Sequence, residues 1–223
     1  DPPNEIGYYQ KIPLQMAMGF QSFGASIYEQ IWNQRRTLLK LPIPFTLYLM
    51  STTLISKNAL TFEGIFRLPG NLKLVDSVAE KLNKGINEME TLGINDIASL
   101  FKKWVRDLPD PLVPMASIGK LENAYDTKEY LEFTNKELPK THKLTLMYLI
   151  GFLQELEKHK DVTLMDAKNL AIVFAPNIVQ VKDTTEPERQ KKFSKLAIEY
   201  VTELINNWDT SYMYPLSKQF LQQ

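Results

Sequence analysis

The chain contains no cysteine. Disulfide frameworks and thiolate chemistry are thereby excluded, and the absence fits a reducing cytosol. An excess of charge of one sign is missing too: 26 basic residues face 26 acidic ones, for a formal net charge of zero. That balance gives no bulk attraction to nucleic acid or to an anionic membrane, so any cationic site must be local. No apolar run is long enough to span a bilayer, since the stretch from Leu144 to Leu153 is interrupted and too short. The opening Asp1-Pro2-Pro3-Asn4 has neither the basic n-region nor the apolar h-region of a signal peptide. A start without Met reads as a segment cut from a longer protein, and the expected location is the cytoplasm.

Signs of independent enzyme chemistry are also scarce. There are only two histidines, His142 and His159. Their spacing is not metal-like and their polar helical contexts predict exposure. No nucleophile elbow, P-loop or dinucleotide fingerprint occurs, and Gly70-Asn71-Leu72-Lys73 is too poor in glycine to cradle a phosphate. Basic and acidic residues alternate without an aromatic–basic stripe, which argues against nucleic acid as a partner. The expectation is no metal, no resident cofactor and no membrane insertion.

What is present is helical pattern. Hydrophobic residues make up 44% of the 223 positions, enough for one large domain or two small ones. Residues 1–20, rich in turn formers, read as an irregular lead-in, and residues 21–223 as the domain proper. Three-four spacing then dominates, with no alternating strand and no internal repeat, which predicts an all-α domain of roughly eight to ten packed helices. Ile27, Tyr28, Ile31 and Trp32 mark a first helix. Pro44 can open a second, carrying Phe45, Tyr48, Leu49 and Leu54. Asn71 is a natural N-cap for a helix whose apolar face is Leu74, Val75, Val78 and Leu82, with Gly85 as its stop. Asn95 or Asp96 opens the next, with Ile97, Leu100, Phe101, Trp104, Val105 and Leu108 as its buried face. Asp126 with Glu129 resembles a capping box ahead of Tyr130 and Phe133, and Thr163 with Asp166 resembles another. Pro139 introduces a long helix through Leu156, and Pro176 closes the one bearing Leu170 and Val173. Thr185-Glu186-Pro187 announces a last helix with Phe193, Leu196, Ala197, Tyr200, Val201, Leu204 and Trp208 on its core face.

The most informative stretch is Thr61-Phe62-Glu63-Gly64-Ile65-Phe66-Arg67-Leu68-Pro69-Gly70. Gly64 and Pro69-Gly70 punctuate it, so it forms a short loop between two helices. Ile65 and Phe66 can anchor that loop by burial, leaving Arg67 projecting from a fixed base. A guanidinium is planar, permanently charged and rich in donors, which suits an anionic oxygen cluster. The plainer alternative is a pair between Arg67 and Glu63. On the helix opened by Asn95 or Asp96, Lys102 and Arg106 stack four residues apart, either as a solvated face or as a pair meeting an anionic partner or carbonyl oxygens. Asn169 and Asn177 flank an apolar run, and an amide at Asn177 can cap orphan carbonyls or contact a partner.

Three blocks, in order, resemble the Rho GTPase-activating (RhoGAP) domain family over nearly the whole chain, from about Phe23-Gly24 to Trp208. They are Glu63-Gly-Ile-Phe-Arg67 with Gly70, Leu100-Phe-Lys-Lys-Trp-Val-Arg-Asp-Leu-Pro-Asp-Pro-Leu112, and Met165-Asp-Ala-Lys-Asn-Leu-Ala-Ile-Val-Phe-Ala-Pro-Asn177. The resemblance implies an all-α helical bundle with its site at one end. It implies a domain, monomeric in itself, that acts in signal transduction on GTP-bound Rho-family small GTPases. GTP and magnesium would belong to the partner. Arg67 would be the arginine finger supplied in trans, Lys102 and Arg106 the pair bracing its loop and meeting the GTPase, Asn177 a partner-contacting amide and Asn169 its support. Such a domain completes its partner's active site and is no independent enzyme. The alternative is a non-catalytic GTPase-binding module of the same fold.

Overall fold

A computed structural model describes residues 45–84, 87–181 and 187–211. The expected lead-in, the helix around Ile27–Trp32, Pro44, the Gly85 stop and the Thr185-Glu186 signal lie outside the described residues. The fold class is all-α: the described residues hold nine α-helices and no strand. They are α1 (Phe45–Ser56), α2 (Leu72–Asn83), α3 (Ile94–Arg106), α4 (Ile118–Thr127), α5 (Tyr130–Glu137), α6 (Lys140–Glu157), α7 (Lys160–Thr163), α8 (Ala167–Ile178) and α9 (Pro187–Asn207). None of them is long and apolar enough to cross a membrane. Contacts group the chain into two compact units, residues 45–57 with 69–101 and residues 58–68 with 102–211.

In the first unit α1 is buried all round, with Leu47, Tyr48, Leu49, Met50 and Leu54 inaccessible. Its hydroxyl residues survive there by bonding back to the helix, as Thr53 does to the Leu49 carbonyl at 2.7 Å. Helix α2 begins where Asn71 Oδ1 accepts from the Leu74 N–H at 3.3 Å, the N-cap expected from sequence. Val75, Val78 and Leu82 are buried, but Leu74 is exposed; it lies one position off the stripe and faces outward. Helix α3 starts at Ile94, one residue ahead of expectation. Asp96 sits in its first turn and accepts from Gly93 N–H at 3.0 Å and from Asn71 N–H at 2.7 Å. Gly70 has no alternative: a Cβ there would stand 2.6 Å from the Asp96 Cα and 2.7 Å from the Asn95 carbonyl oxygen.

In the second unit α8 and α9 pack along each other and on α6. Tyr200 of α9 is fully buried, with rings of Tyr130 and Phe133 each 5.8 Å away. Its hydroxyl meets Thr134 Oγ1 at 2.8 Å. Gln154 of α6 closes the end of α9, its Nε2 donating to the carbonyls of Ile205 at 3.2 Å and Trp208 at 2.9 Å. That answers the orphan carbonyls every helix end carries.

Several local expectations are corrected. Asp126 lies inside α4, and Glu129, at the start of α5, makes no side-chain cap; Thr127 Oγ1 donates to Glu129 Oε2 instead. Thr163 ends the short α7, and Asp166 alone caps α8, accepting from the Asn169 N–H at 2.7 Å. Pro176 sits inside α8, which runs on to Ile178. In the last turn a proline forfeits one hydrogen bond without stopping the helix. Trp104 is only half-buried. His142 is buried, its Nδ1 3.0 Å from the Pro111 carbonyl oxygen and its Nε2 3.4 Å from Asp110 Oδ2. Exposure was the wrong reading because the segment after α3 folds over it.

Candidate functional site

The loop bearing Arg67 belongs to the second unit and starts with a 3-10 turn over Ala59–Thr61. The Gly64 N–H donates to the Thr163 carbonyl at 2.7 Å, tying the loop to the end of α7. Gly64 adopts φ +71°, a conformation open to glycine at little cost. Its carbonyl accepts from the N–H groups of Arg67 at 2.9 Å and Leu68 at 3.2 Å, which closes the turn.

Phe66 carries the strain. Its φ is +68°, rare for a bulky side chain and costing on the order of 1–3 kcal/mol. The offset lies in its ring, which is fully buried and meets Phe174 edge-on at 4.8 Å and Phe152 at 6.2 Å. Truncating a buried phenylalanine costs about 3–5 kcal/mol, more than the strain, so the ring wins and the backbone follows. Ile65 is inaccessible beside it.

Lys102, near the end of α3, clamps the same turn, its Nζ donating to the Phe66 carbonyl oxygen at 2.5 Å. Burial, and then the guanidinium of Arg106 one turn on, hold this ammonium below the usual lysine range. The Arg106 side chain makes no hydrogen bond or ion pair to the described residues of the loop. Its Nε donates to Asp107 Oδ1 at 3.1 Å, while Lys103 takes Asp107 Oδ2 at 3.0 Å. Burial works to raise the Asp107 pKa, but the bonds from Lys103 and Arg106 outweigh it and hold the carboxyl below its ordinary value. The lysine thus reaches the arginine loop, and Arg106 lies on its neighbour.

Asn177 is buried, and its Nδ2 donates to the Val173 carbonyl at 3.0 Å, as a residue satisfying its own helix end would. Asn169 is half-buried; its Nδ2 donates to the Leu164 carbonyl at 3.3 Å. Leu164 sits at φ +57° with its side chain 49% exposed. Asn169 therefore helps fix a left-handed leucine that faces out, on the segment bonded to the Arg67 loop through Thr163. Leu68 and Ile172 are also exposed apolar side chains. Sequence reading passed over Gln180, whose Nε2 donates to the carbonyls of Arg106 at 2.8 Å and Asn177 at 3.1 Å. Its one legible signal is a position three residues past Asn177, within reach of that helix end; the Arg106 contact spans 74 residues and leaves no local trace.

Arg67 itself is exposed. Its guanidinium makes no hydrogen bond or ion pair with any described residue, Glu63 included. It folds back over Gly64, where a Cβ would come within 3.2 Å of Nη2. A free cation thus stands on a turn held by the Thr163 carbonyl, the aromatic slot and Lys102. Among the described residues no cluster of His, Asp or Glu could hold a metal ion.

The RhoGAP domain family matches residues 44–183, more than half of the chain. The chain is 36% identical over 146 residues to Rho GTPase-activating protein gacA of Dictyostelium discoideum, covering 66% of this chain and 43% of that protein. It is 33% identical over 141 residues to Rho GTPase-activating protein 22 of Mus musculus, covering 58% of this chain and 20% of that one. It therefore spans less than half the length of either relative. The crystal structure of human Rho GTPase activating protein 15 superposes with a TM-score of 0.67 over 79% of this chain and 86% of that one, at 19% identity; that likeness speaks to fold alone. With the family match spanning the Arg67 loop, α3 and α8, the chain belongs to the RhoGAP domain family.

Proposed function

We propose that this domain stimulates GTP hydrolysis by a GTP-bound Rho-family small GTPase, with Arg67 as the cation delivered in trans. The observation that carries the reading is an exposed guanidinium without a partner on a backbone fixed from three sides. In phosphoryl transfer, charge spreads over the equatorial oxygens of the transferring group, and catalysis is mostly positioning and electrostatics. A guanidinium placed there stabilises the charge as it develops. An arginine supplied in trans is worth about 10³–10⁵ in rate, or roughly 4–7 kcal/mol of barrier. GTP and its magnesium come with the partner. Within this chain Ile65 and Phe66 hold the turn, Lys102 locks the carbonyl just before the arginine, and the exposed side chains of Leu68 and Leu164 offer apolar contact to the partner surface. The guanidinium needs only side-chain rotation to leave Gly64, a ps–ns motion for an exposed residue.

The test is a GTP-hydrolysis assay over a panel of GTP-loaded small GTPases, with and without the domain. Stimulation of a Rho-type member, together with tighter binding when a planar metal fluoride occupies its γ-phosphate site, is the expected result. Equal affinity for the GDP-bound and fluoride-bound forms would assign the domain to binding without catalysis.

A further inference from the structure

An open groove of about 680 Å³ lies along the α8–α9 pair, and its lining includes Lys168, Lys191, Ser194, Lys195, Glu199 and Glu203. Its size falls in the range of small-ligand sites. The charges along it are not equally available. Glu199 is bonded to Lys128, and Glu203 Oε1 accepts from Asn207 Nδ2 at 2.9 Å. The lysines differ. Lys168, Lys191 and Lys195 make no hydrogen bond or salt bridge to any described residue, although the field of Lys195 reaches Glu199 a turn later.

In the same unit Lys120, Lys128, Lys136, Lys158 and Lys160 each hold a glutamate, whereas Lys140 and Lys192 share the lack of a partner among the described residues. Lys191 and Lys195 are four residues apart on α9, so their like charges repel. Ser194, an exposed residue, lines the groove with them, and Lys168 contributes from α8. Three ammonium groups and a hydroxyl on side chains that line one concavity are a donor set for phosphate oxygens, which lysine meets as a point charge.

We propose that this groove binds a polyphosphorylated headgroup through its lysines, presented either on a membrane surface or as a soluble inositol phosphate. The site is independent of the Arg67 loop, and no apolar segment enters the bilayer.

Co-sedimentation at physiological salt tests it, with vesicles of phosphatidylcholine alone, with phosphatidylserine, and with phosphatidylinositol bisphosphate at matched surface charge. The expected result is capture by the phosphoinositide vesicles above the other two. The triple substitution Lys168→Gln, Lys191→Gln, Lys195→Gln lowers affinity at least ten-fold, at about five-fold per lysine near an anionic surface. Ser194→Glu does so through one charge. Removing the same charge elsewhere, by Lys120→Gln, Lys136→Gln and Lys160→Gln, leaves capture within two-fold. Competition by inositol hexakisphosphate that releases the protein from vesicles identifies a site open to the soluble form as well. Binding of the inositol phosphate without vesicle capture assigns the soluble source alone. The proposal falls if neither form binds, if phosphatidylserine captures as well as the phosphoinositide, if the control substitutions cost as much, or if an acidic peptide binds in preference to both phosphate probes.

Discussion

Two glycine turns flank the arginine, and they are finished in opposite ways. Around Gly70 the polar groups are consumed locally: the Gly70 N–H goes to Ser99 Oγ at 2.9 Å and the Asn71 N–H to Asp96 Oδ1 at 2.7 Å. Around Gly64 the backbone is held as firmly, by Thr163, Phe174 and Lys102, yet the Arg67 guanidinium has no partner among the described residues. A turn that only redirects the chain satisfies its groups. A turn that presents a group fixes the backbone and leaves the side chain unsatisfied.

That contrast breaks most sharply at Arg67. Arg67→Ala is expected to lower stimulated GTP hydrolysis by about 10³–10⁵-fold while stability stays within ~0.5 kcal/mol, as for surface substitutions generally. Stimulation within a few-fold of wild type, in a domain with unchanged melting, would end the presenting-turn reading. Arg67→Lys should also be poor, since an ammonium keeps the charge and loses the planar fork.

Lys102→Met comes next. It keeps the length and removes the donor to the Phe66 carbonyl, so the loop loosens and the maximal stimulated rate falls about 10²-fold, the usual penalty for a small misplacement. Half-saturation by the GTPase should move less than the maximal rate; a change confined to half-saturation would make Lys102 a partner contact instead.

Gly70→Ala tests the other turn. The added methyl meets backbone, so about 1–3 kcal/mol of stability should be lost, read as a lower midpoint in urea, with stimulation per folded molecule unchanged. Gln180→Leu is gentler: deleting one exposed amide bridge between the Arg106 and Asn177 carbonyls should cost about 0.5–1.5 kcal/mol at most. The smallest effect is acid-side. Asp107 titrates below its ordinary value when folded, so its contribution is present above about pH 4 and fades as pH falls through the folded pKa. Arg106→Ala should raise the Asp107 midpoint in a carboxyl-carbon NMR titration, with Lys103 keeping part of the depression.

The sequence carried the features whose physics is local. The Asn71 cap, the three-four stripe of α3 apart from Trp104, and the glycine at position 64 depend on near neighbours, and these were readable. Pro176 misled because a proline's effect depends on where in a helix it falls, and Asp126-Glu129 because a capping pattern cannot tell a helix end from a helix start. The Phe66 φ, the Gln180 bridge and the reach of Lys102 to a carbonyl 36 residues away arise only from tertiary packing. Three lysines from two helices likewise made no run in the chain. The division of work between Lys102 and Arg106 was beyond spacing alone, since both lie on one helix face and only the fold decides which meets the loop.

The Arg67 turn also has a consequence for how the protein is made. Its holders come late: Lys102, then Phe152, Thr163 and finally Phe174. A chain growing on the ribosome therefore carries its arginine for more than a hundred residues before the last of them emerges, at about 5–20 residues per second. Through that interval the tip is ordinary unfolded backbone, because Phe66 has no reason to leave the common φ region without its slot. A message that stops short of α8 yields a product with the key residue intact and no geometry to use it.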